Sequence, residues 1–382
     1  MVTVERMVLS ITSFMSRLTL LSAPVWFVQH AQKTFQKIIH SKKWDLNEES
    51  QRQDLEQVII DAFAQLDQEY CDMKLAEYAE FMESKGRGTK PHDDGCTLVV
   101  NLFIDGWLIN ANVGDSRTVV GALLDKSSEF ETPAKPTTFY EKYNSKKPIQ
   151  LVKNEDEEES ASSQSLPPTP DFTVSHQTAK MNLLFASSDH NMTHPRTTYY
   201  LQEHGGTFML NTPPAPKFYR VDSPQARNWR PYSELIGTRV FRPKSGALIQ
   251  AGVPHTRTLN LTSTMGDLLF KVAPAVMTST PDVRFIKFDK GVDYVVFCGS
   301  DGVWDHLKEQ TTQERQNLGV LEAIHDMLKE TPEVSEVHLR EICQEVIRRE
   351  NQDPWILGRE LYMKGFTRYD DASGQLLYFK AQ

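Results

Sequence analysis

"TLVVNLFIDGWLINANVGDSRTVVGALL", residues 97–124, decides how the rest of the chain is read. Two apolar runs, 97–104 and 107–112, are joined by Asp105-Gly106. An Asp-Gly pair between apolar runs favours a tight hairpin, because both central residues accept positive φ. "RTVVGALL" follows as a third run. Three adjacent strands predict an antiparallel sheet. Inside this stretch, "ANVGDSRTVV" (Ala111–Val120) ends one strand beside Gly114 and sets Asp115 there.

A second strand ends in the same manner. The apolar run Tyr294-Val295-Val296-Phe297 leads into "CGSDGVWDHL", Cys298–Leu307. Asp301 stands where a buried strand meets solvent, and Gly302 lets the chain turn closely past it. Asp305 follows at helical spacing. "RYDDASGQLLYF" (Arg368–Phe379) places Asp370 and Asp371 just before a closing strand. Any one of these is an ordinary turn or helix cap. Together, on an antiparallel-sheet pattern, they predict a shared metal centre. Converging carboxylates repel unless a cation stands between them. Hard divalent ions, Mg²⁺ or Mn²⁺, suit such oxygen ligands.

The remaining pattern is mixed helix and strand. Residues 26–80 carry helical spacing, with Leu55, Ile59, Phe63 and Leu66 on one side. "SKGRGTKPHDDG" is a loop. Residues 124–175 are acidic and Ser/Pro-rich ("NEDEEESASSQSLPPTPD"), which predicts a disordered insertion. "DVRFIKF" and "DYVVFCGS" are strands, residues 317–350 are helical with a break near Pro332, and "GQLLYFK" closes the chain.

Composition sets outer limits. With 39% hydrophobic and 24% charged residues over 382 positions, the chain suits a soluble globular protein. A net charge of -9 without a long Lys/Arg cluster argues against a nucleic-acid binder. The apolar pieces of the first 28 residues are broken by Arg17 and Pro24, so no membrane span is expected. Four scattered cysteines, Cys71, Cys96, Cys298 and Cys343, form no C-x-x-C pair and suit a reducing, intracellular compartment. That makes the cytoplasm or nucleus the expected location. Arg6, Arg17 and the Ser/Thr content of the leader resemble a mitochondrial presequence, against which Glu5 stands.

The ordered motifs resemble those of the metal-dependent protein serine/threonine phosphatases of the 2C class, the PPM family. "DDGCTLVV" is similar to its Ser-Gly-Ser-Thr-Ala segment and "NANVGDSRTVV" to its Ala-Asn-x-Gly-Asp-Ser-Arg strand. "SSDHNMTHPRTTYYLQEHGGTF" resembles Asp-His-x-Pro … Gly-Gly, and "LNLTSTMGDLLFK" resembles Leu-Ala-x-Ser-Arg-Ala-Leu-Gly-Asp. "STPDV", "CGSDGVWDHL" and "DDAS" resemble Glu-Pro-Asp-Val, Ser-Asp-Gly-x-Trp-Asp and Asp-Asn-x-Thr. The matches keep family order over about residues 90–380.

The resemblance implies an α+β fold: an antiparallel β-sandwich flanked by helices, in four α-β-β-α layers. It implies one such domain over 25–382, behind a leader, 1–24, that it leaves unexplained. It implies hydrolysis of phosphoserine and phosphothreonine in protein substrates by metal-activated water, with no side-chain nucleophile and no phosphoenzyme. By position, Asp301 and Asp370 would hold a two-metal core of Mg²⁺ or Mn²⁺, and Asp115 and Asp305 a third, looser ion. Gly302, Asp371 and Gly114 would support them. Trp304, Cys96 and Cys298 would pack, His190 would steady a loop, and the protein would work as a monomer. The family's Arg-x-Glu-Asp segment and its Asp-Gly-His-Gly-Gly strand end have no counterpart here, and Thr264 stands where the family has arginine. His204-Gly205-Gly206 matches the later Gly-Gly segment instead. The sandwich is therefore expected to lack its N-terminal strands. An alternative follows, a catalytically inactive relative that binds phosphoproteins.

Overall fold

The computed structural model describes residues 9–12, 23–123, 176–177, 181–192, 194–210, 217–220, 239–242, 246–253, 258–304, 313–330, 334–350 and 372–380. The acidic insertion expected at 124–175 lies outside them, as do Asp305, Asp370 and Asp371.

A short strand, β1 (Leu9–Thr12), precedes two helices, α1 (Ala23–Ser41) and α2 (Glu49–Glu83). Strands β2 (Gly95–Cys96), β3 (Leu98–Ile104), β4 (Trp107–Val113) and β5 (Arg117–Leu123) follow. The turn between β3 and β4 has φ 45° at Asp105 and 78° at Gly106, as its sequence requires. Next come β6 (His176–Gln177), β7 (Met181–Ala186), α3 (Pro195–Glu203), β8 (Thr207–Leu210), β9 (Lys217–Arg220) and β10 (Arg239–Phe241). Then follow α4 (Gly246–Ala251), β11 (Thr258–Leu259), β12 (Met265–Gly266), α5 (Leu268–Lys271), β13 (Asp282–Lys287) and β14 (Asp293–Gly299). The described chain closes with α6 (Asp301–Trp304), α7 (Gln313–Lys329), α8 (Glu336–Glu350) and β15 (Gly374–Phe379).

Two antiparallel sheets carry the architecture, ordered β1-β3-β4-β13 and β15-β14-β5-β7-β6. Strand alternation sorts their side chains into layers. Leu98, Val100, Leu102 and Ile104 of β3 share a core with Ile109, Ala111 and Val113 of β4. Phe27 and Phe35 of α1 and Ile59 and Phe63 of α2 cover that face. The intervening residues point the other way. Phe103, Leu108 and Ile286 meet Val120, Phe185 and Val296 of the second sheet. Beyond it, Val119, Val295, Phe297 and Leu376 pack on Val320, Leu321, Ile324, Ile342 and Val346 of α7 and α8. The result is the expected helix–sheet–sheet–helix order. A smaller sheet, β11-β10-β8-β9, joins α2, α3 and α5 through Tyr78, Leu201, Val240 and Phe270.

One short strand of the leader adds to the first sheet. β1, inside the unexplained leader, pairs antiparallel with β3 from Leu9 opposite Leu102 to Thr12 opposite Val99. The leader thus covers part of an edge whose N–H and C=O groups would otherwise lie open.

Candidate active site

The register of the second sheet places three chain segments at one end. Gly299 of β14 lies between Arg117 of β5 and Gly374 of β15. Asp115 precedes Arg117 by two residues, Asp301 follows Gly299 by two, and the segment entering β15 arrives beside them. The structure therefore brings the Asp115 and Asp301 segments to the same sheet end.

The Asp115 turn is tightly built. Gly114 has φ 100°, and a Cβ there would meet Thr97 Cγ2 at 2.3 Å, so glycine alone fits. Asn112 Nδ2 donates to the carbonyls of Gly114 (3.3 Å) and Ser188 (3.1 Å). Asp115 is buried, and Ser116 Oγ is bonded to Thr97 Oγ1 at 2.7 Å. That hydroxyl is committed to the fold.

Asp301 opens the four-residue helix α6 and accepts the Gly302 amide at 2.9 Å. The turn before it is fastened to the start of β15. Ser300 N–H donates to Ser373 O (2.9 Å), and Ser373 N–H donates to Ser300 Oγ (3.0 Å). Trp304 is buried and donates Nε1–H to Gly299 O at 3.2 Å, a packing role as expected.

Arg117 links both turns from the helix-facing side. It is buried, lies 4.5 Å from the Trp304 ring centroid, and pairs with buried Asp189 through Nη2–Oδ2 at 2.5 Å and Nε–Oδ1 at 2.8 Å. Its Nη1 reaches Asn317 at 2.9 Å and Gln316 at 3.1 Å. The guanidinium next to Asp115 in sequence is therefore neutralised by Asp189.

Behind the Asp115 turn lies a buried ionic network that sequence reasoning missed, apart from His190. Asp282, the first residue of β13 and opposite Asn112 in register, accepts His194 Nε2 at 3.0 Å and is bonded to Arg196. His190 Nε2 lies 3.3 Å from the same Asp282 oxygen. Burial pushes His190 from its ordinary 6.5 down to about 4, against the pull of Asp282. Burial alone would raise Asp282, but the two histidines more than offset this and hold it well below the carboxylate range.

His190, His194 and Asp282 bring three ligand-type atoms within 4.8 Å of one another. Hydrogen-bond direction argues against a metal between them. The Gly114 amide can only donate, so His190 Nδ1 accepts (3.3 Å) and the ring proton sits on Nε2, facing Asp282. The Arg196 guanidinium already neutralises that carboxylate.

The Asp115–Asp301 end carries the two carboxylates expected to face a hard cation. Its carboxylates offer oxygen only, and the neighbouring arginine is taken up elsewhere. Asp305 and Asp370 belong to adjoining segments outside the described residues, so their placement here is an expectation. Residues 1–22 contain neither Asp nor His. Asp94 accepts the Ala23 amide at 2.9 Å and Tyr70 Oη at 2.7 Å, while Asp67 accepts the Gly266 amide at 2.6 Å and Lys271 at 2.8 Å. Both carboxylates fasten helices rather than await a ligand.

No curated protein matches the chain. Among solved structures, serine-threonine phosphatase 2C from Toxoplasma gondii matches at 14% identity, over 93% of this chain and 77% of that one, with a TM-score of 0.47. A sex determining protein of C. elegans matches at 12% identity over 98% of this chain and 56% of its own, TM-score 0.43. The serine/threonine phosphatase of S. agalactiae matches at 11% over 98% and 100%, TM-score 0.37. Residues 25–143 match the family profile described as Protein phosphatase 2C. Over that segment the chain is similar to the protein phosphatases 2C.

Proposed function

We propose that the chain is a metal-dependent protein serine/threonine phosphatase. The observation that carries this reading is the register that sets the Asp115 turn, Asp301 and the entry to β15 at one sheet end. Asp115, Asp301, Asp305 and Asp370 would hold Mg²⁺ or Mn²⁺, with Gly114, Gly302 and Asp371 shaping the turns. Bound cations would supply Lewis acidity toward the phosphoryl oxygens and a nucleophilic water at neutral pH. The chain's own residues position and exclude. Ser116 is locked to Thr97, and Cys96 and Cys298 are buried thiols, so none of the three is an accessible nucleophile. Substrates would be phosphorylated proteins. Four buried cysteines without a disulfide fit a reducing compartment, the cytoplasm or nucleus. Among the described residues no helix is long and apolar enough to cross a membrane.

A second reading is a phosphoprotein-binding relative without hydrolysis. Thr264, which stands where the family has arginine, favours it. One assay separates the two: hydrolysis of a phosphoserine peptide with Mn²⁺, by the chain and by Asp301→Ala. A rate that needs Mn²⁺ and vanishes in the variant supports catalysis. Equal background rates leave the binding reading.

A further inference from the structure

We infer that His190 is a positioning residue for the Asp115 turn, acting through the backbone of Gly114, and that Asp282 fixes the imidazole in that task. The inference rests on the metal-dependent reading of the turn. Gly114 is gripped on both of its polar atoms by one residue. The His190 amide donates to Gly114 O at 2.9 Å, and the Gly114 amide donates to His190 Nδ1 at 3.3 Å. Asn112 Nδ2 adds a second donor to the same carbonyl. Without this grip, Asp115 would hang from a left-handed glycine, the backbone unit with the greatest freedom.

The imidazole is not free to turn. It is fully buried, lies 4.6 Å from the His194 ring with the two planes tilted by 54°, and faces Asp282 Oδ2 with Nε2. Asp282 is itself anchored, by the pairing of β13 with β4, by His194 and by Arg196. Arg196 also donates to Thr280 O at 3.1 Å. The chain of contacts runs from the start of α3 through Asp282 and His190 to the backbone beside Asp115. Partners behind a ligand set its orientation, and removing one typically weakens metal binding by about 10–100-fold.

Two substitutions separate positioning from mere stability. In His190→Asn the Oδ1 atom takes the place of Nδ1, keeping the acceptor for Gly114 and losing the contact with Asp282. In His190→Gln the amide nitrogen takes the place of Nε2, keeping the approach to Asp282 and losing the acceptor. The full chain is followed by hydrogen exchange of the 112–117 amides without metal, by Mn²⁺ titration calorimetry, and by Tm. For His190→Gln we expect faster exchange at Gly114 and Mn²⁺ binding weakened about tenfold. His190→Asn should stay within about threefold of the wild type in Mn²⁺ affinity even though its Tm falls. Equal losses in both variants, tracking Tm, overturn the inference, and so does an unchanged affinity in His190→Gln. A wild-type chain that binds no Mn²⁺ overturns the metal reading and this inference with it.

Discussion

The two ends of the space between the sheets are built from the same strands and differ in kind. At one end, Phe103, Leu108, Val120, Phe185, Ile286 and Val296 interlock, with Phe379 4.4 Å from Phe103 and Phe288 stacked 4.2 Å from Tyr294. At the other, the same faces carry Asn101, Asn110, Asn112 and Thr118, all buried. Asn110 Nδ2 donates to Asn101 Oδ1 at 2.8 Å and to Thr118 Oγ1 at 3.1 Å. β3 passes from Asn101 to Phe103, and β4 from Leu108 to Asn110, within one alternation period, and Asn112 follows one period on. The difference teaches where each end spends its burial. Apolar packing supplies stability. Buried polar groups yield little net stability even when bonded, but they fix geometry. The polar end is the one that abuts Asp115.

The sharpest way to break this contrast is at the apolar end. Phe103→Ala should cost about 4 kcal/mol in urea unfolding, through lost transfer energy and the cavity it leaves. A loss below about 1 kcal/mol would mean that stability is not stored there.

Asp282→Asn tests the polar end. It leaves His190, His194 and Arg196 facing a neutral amide, and should cost about 3 kcal/mol, read by the same unfolding curves. A neutral outcome would reduce the network to decoration.

The pH response sharpens the comparison. His190 takes up a proton near 6.5 when unfolded but only near 4 when folded, so between these values the unfolded chain binds more protons. Stability is therefore full above 6.5 and falls as pH drops toward 4, by about 3 kcal/mol. Asp282, held below its ordinary range, adds a further loss below 3.8. His190→Asn should flatten the first slope, and an unchanged slope would assign it elsewhere.

The smallest effect belongs to Thr97→Val. It removes the bond to Ser116 and leaves one buried hydroxyl to find a new partner, at about 1 kcal/mol.

Much of this was readable from residues. The Asp105-Gly106 hairpin, the helical spacing of Leu55, Ile59, Phe63 and Leu66, and the strand-end positions of Asp115 and Asp301 all appear as the local chemistry dictates. The rest was hidden for physical reasons. β1 is four residues long and gains its partner only across the fold, so no local pattern announces it. His194, Arg196 and Asp282 are ordinary residues in sequence, brought together over as many as 88 positions. The signal that was available was an acidic residue at the first position of a strand, Asp282 of "DVRFIKF", where burial would demand a cationic partner. The asparagines of β3 and β4 read as interruptions of apolar runs because alternation locates a face, not the polarity of what lies opposite.

The central claim is that separate segments deliver carboxylates to one site that holds divalent ions. Mn²⁺ titration of the wild-type chain beside Asp115→Asn, Asp301→Asn and Asp370→Asn tests it most directly. The account predicts saturable binding by the wild type that each single substitution weakens. Absence of binding, or variants that bind as the wild type does, would contradict it.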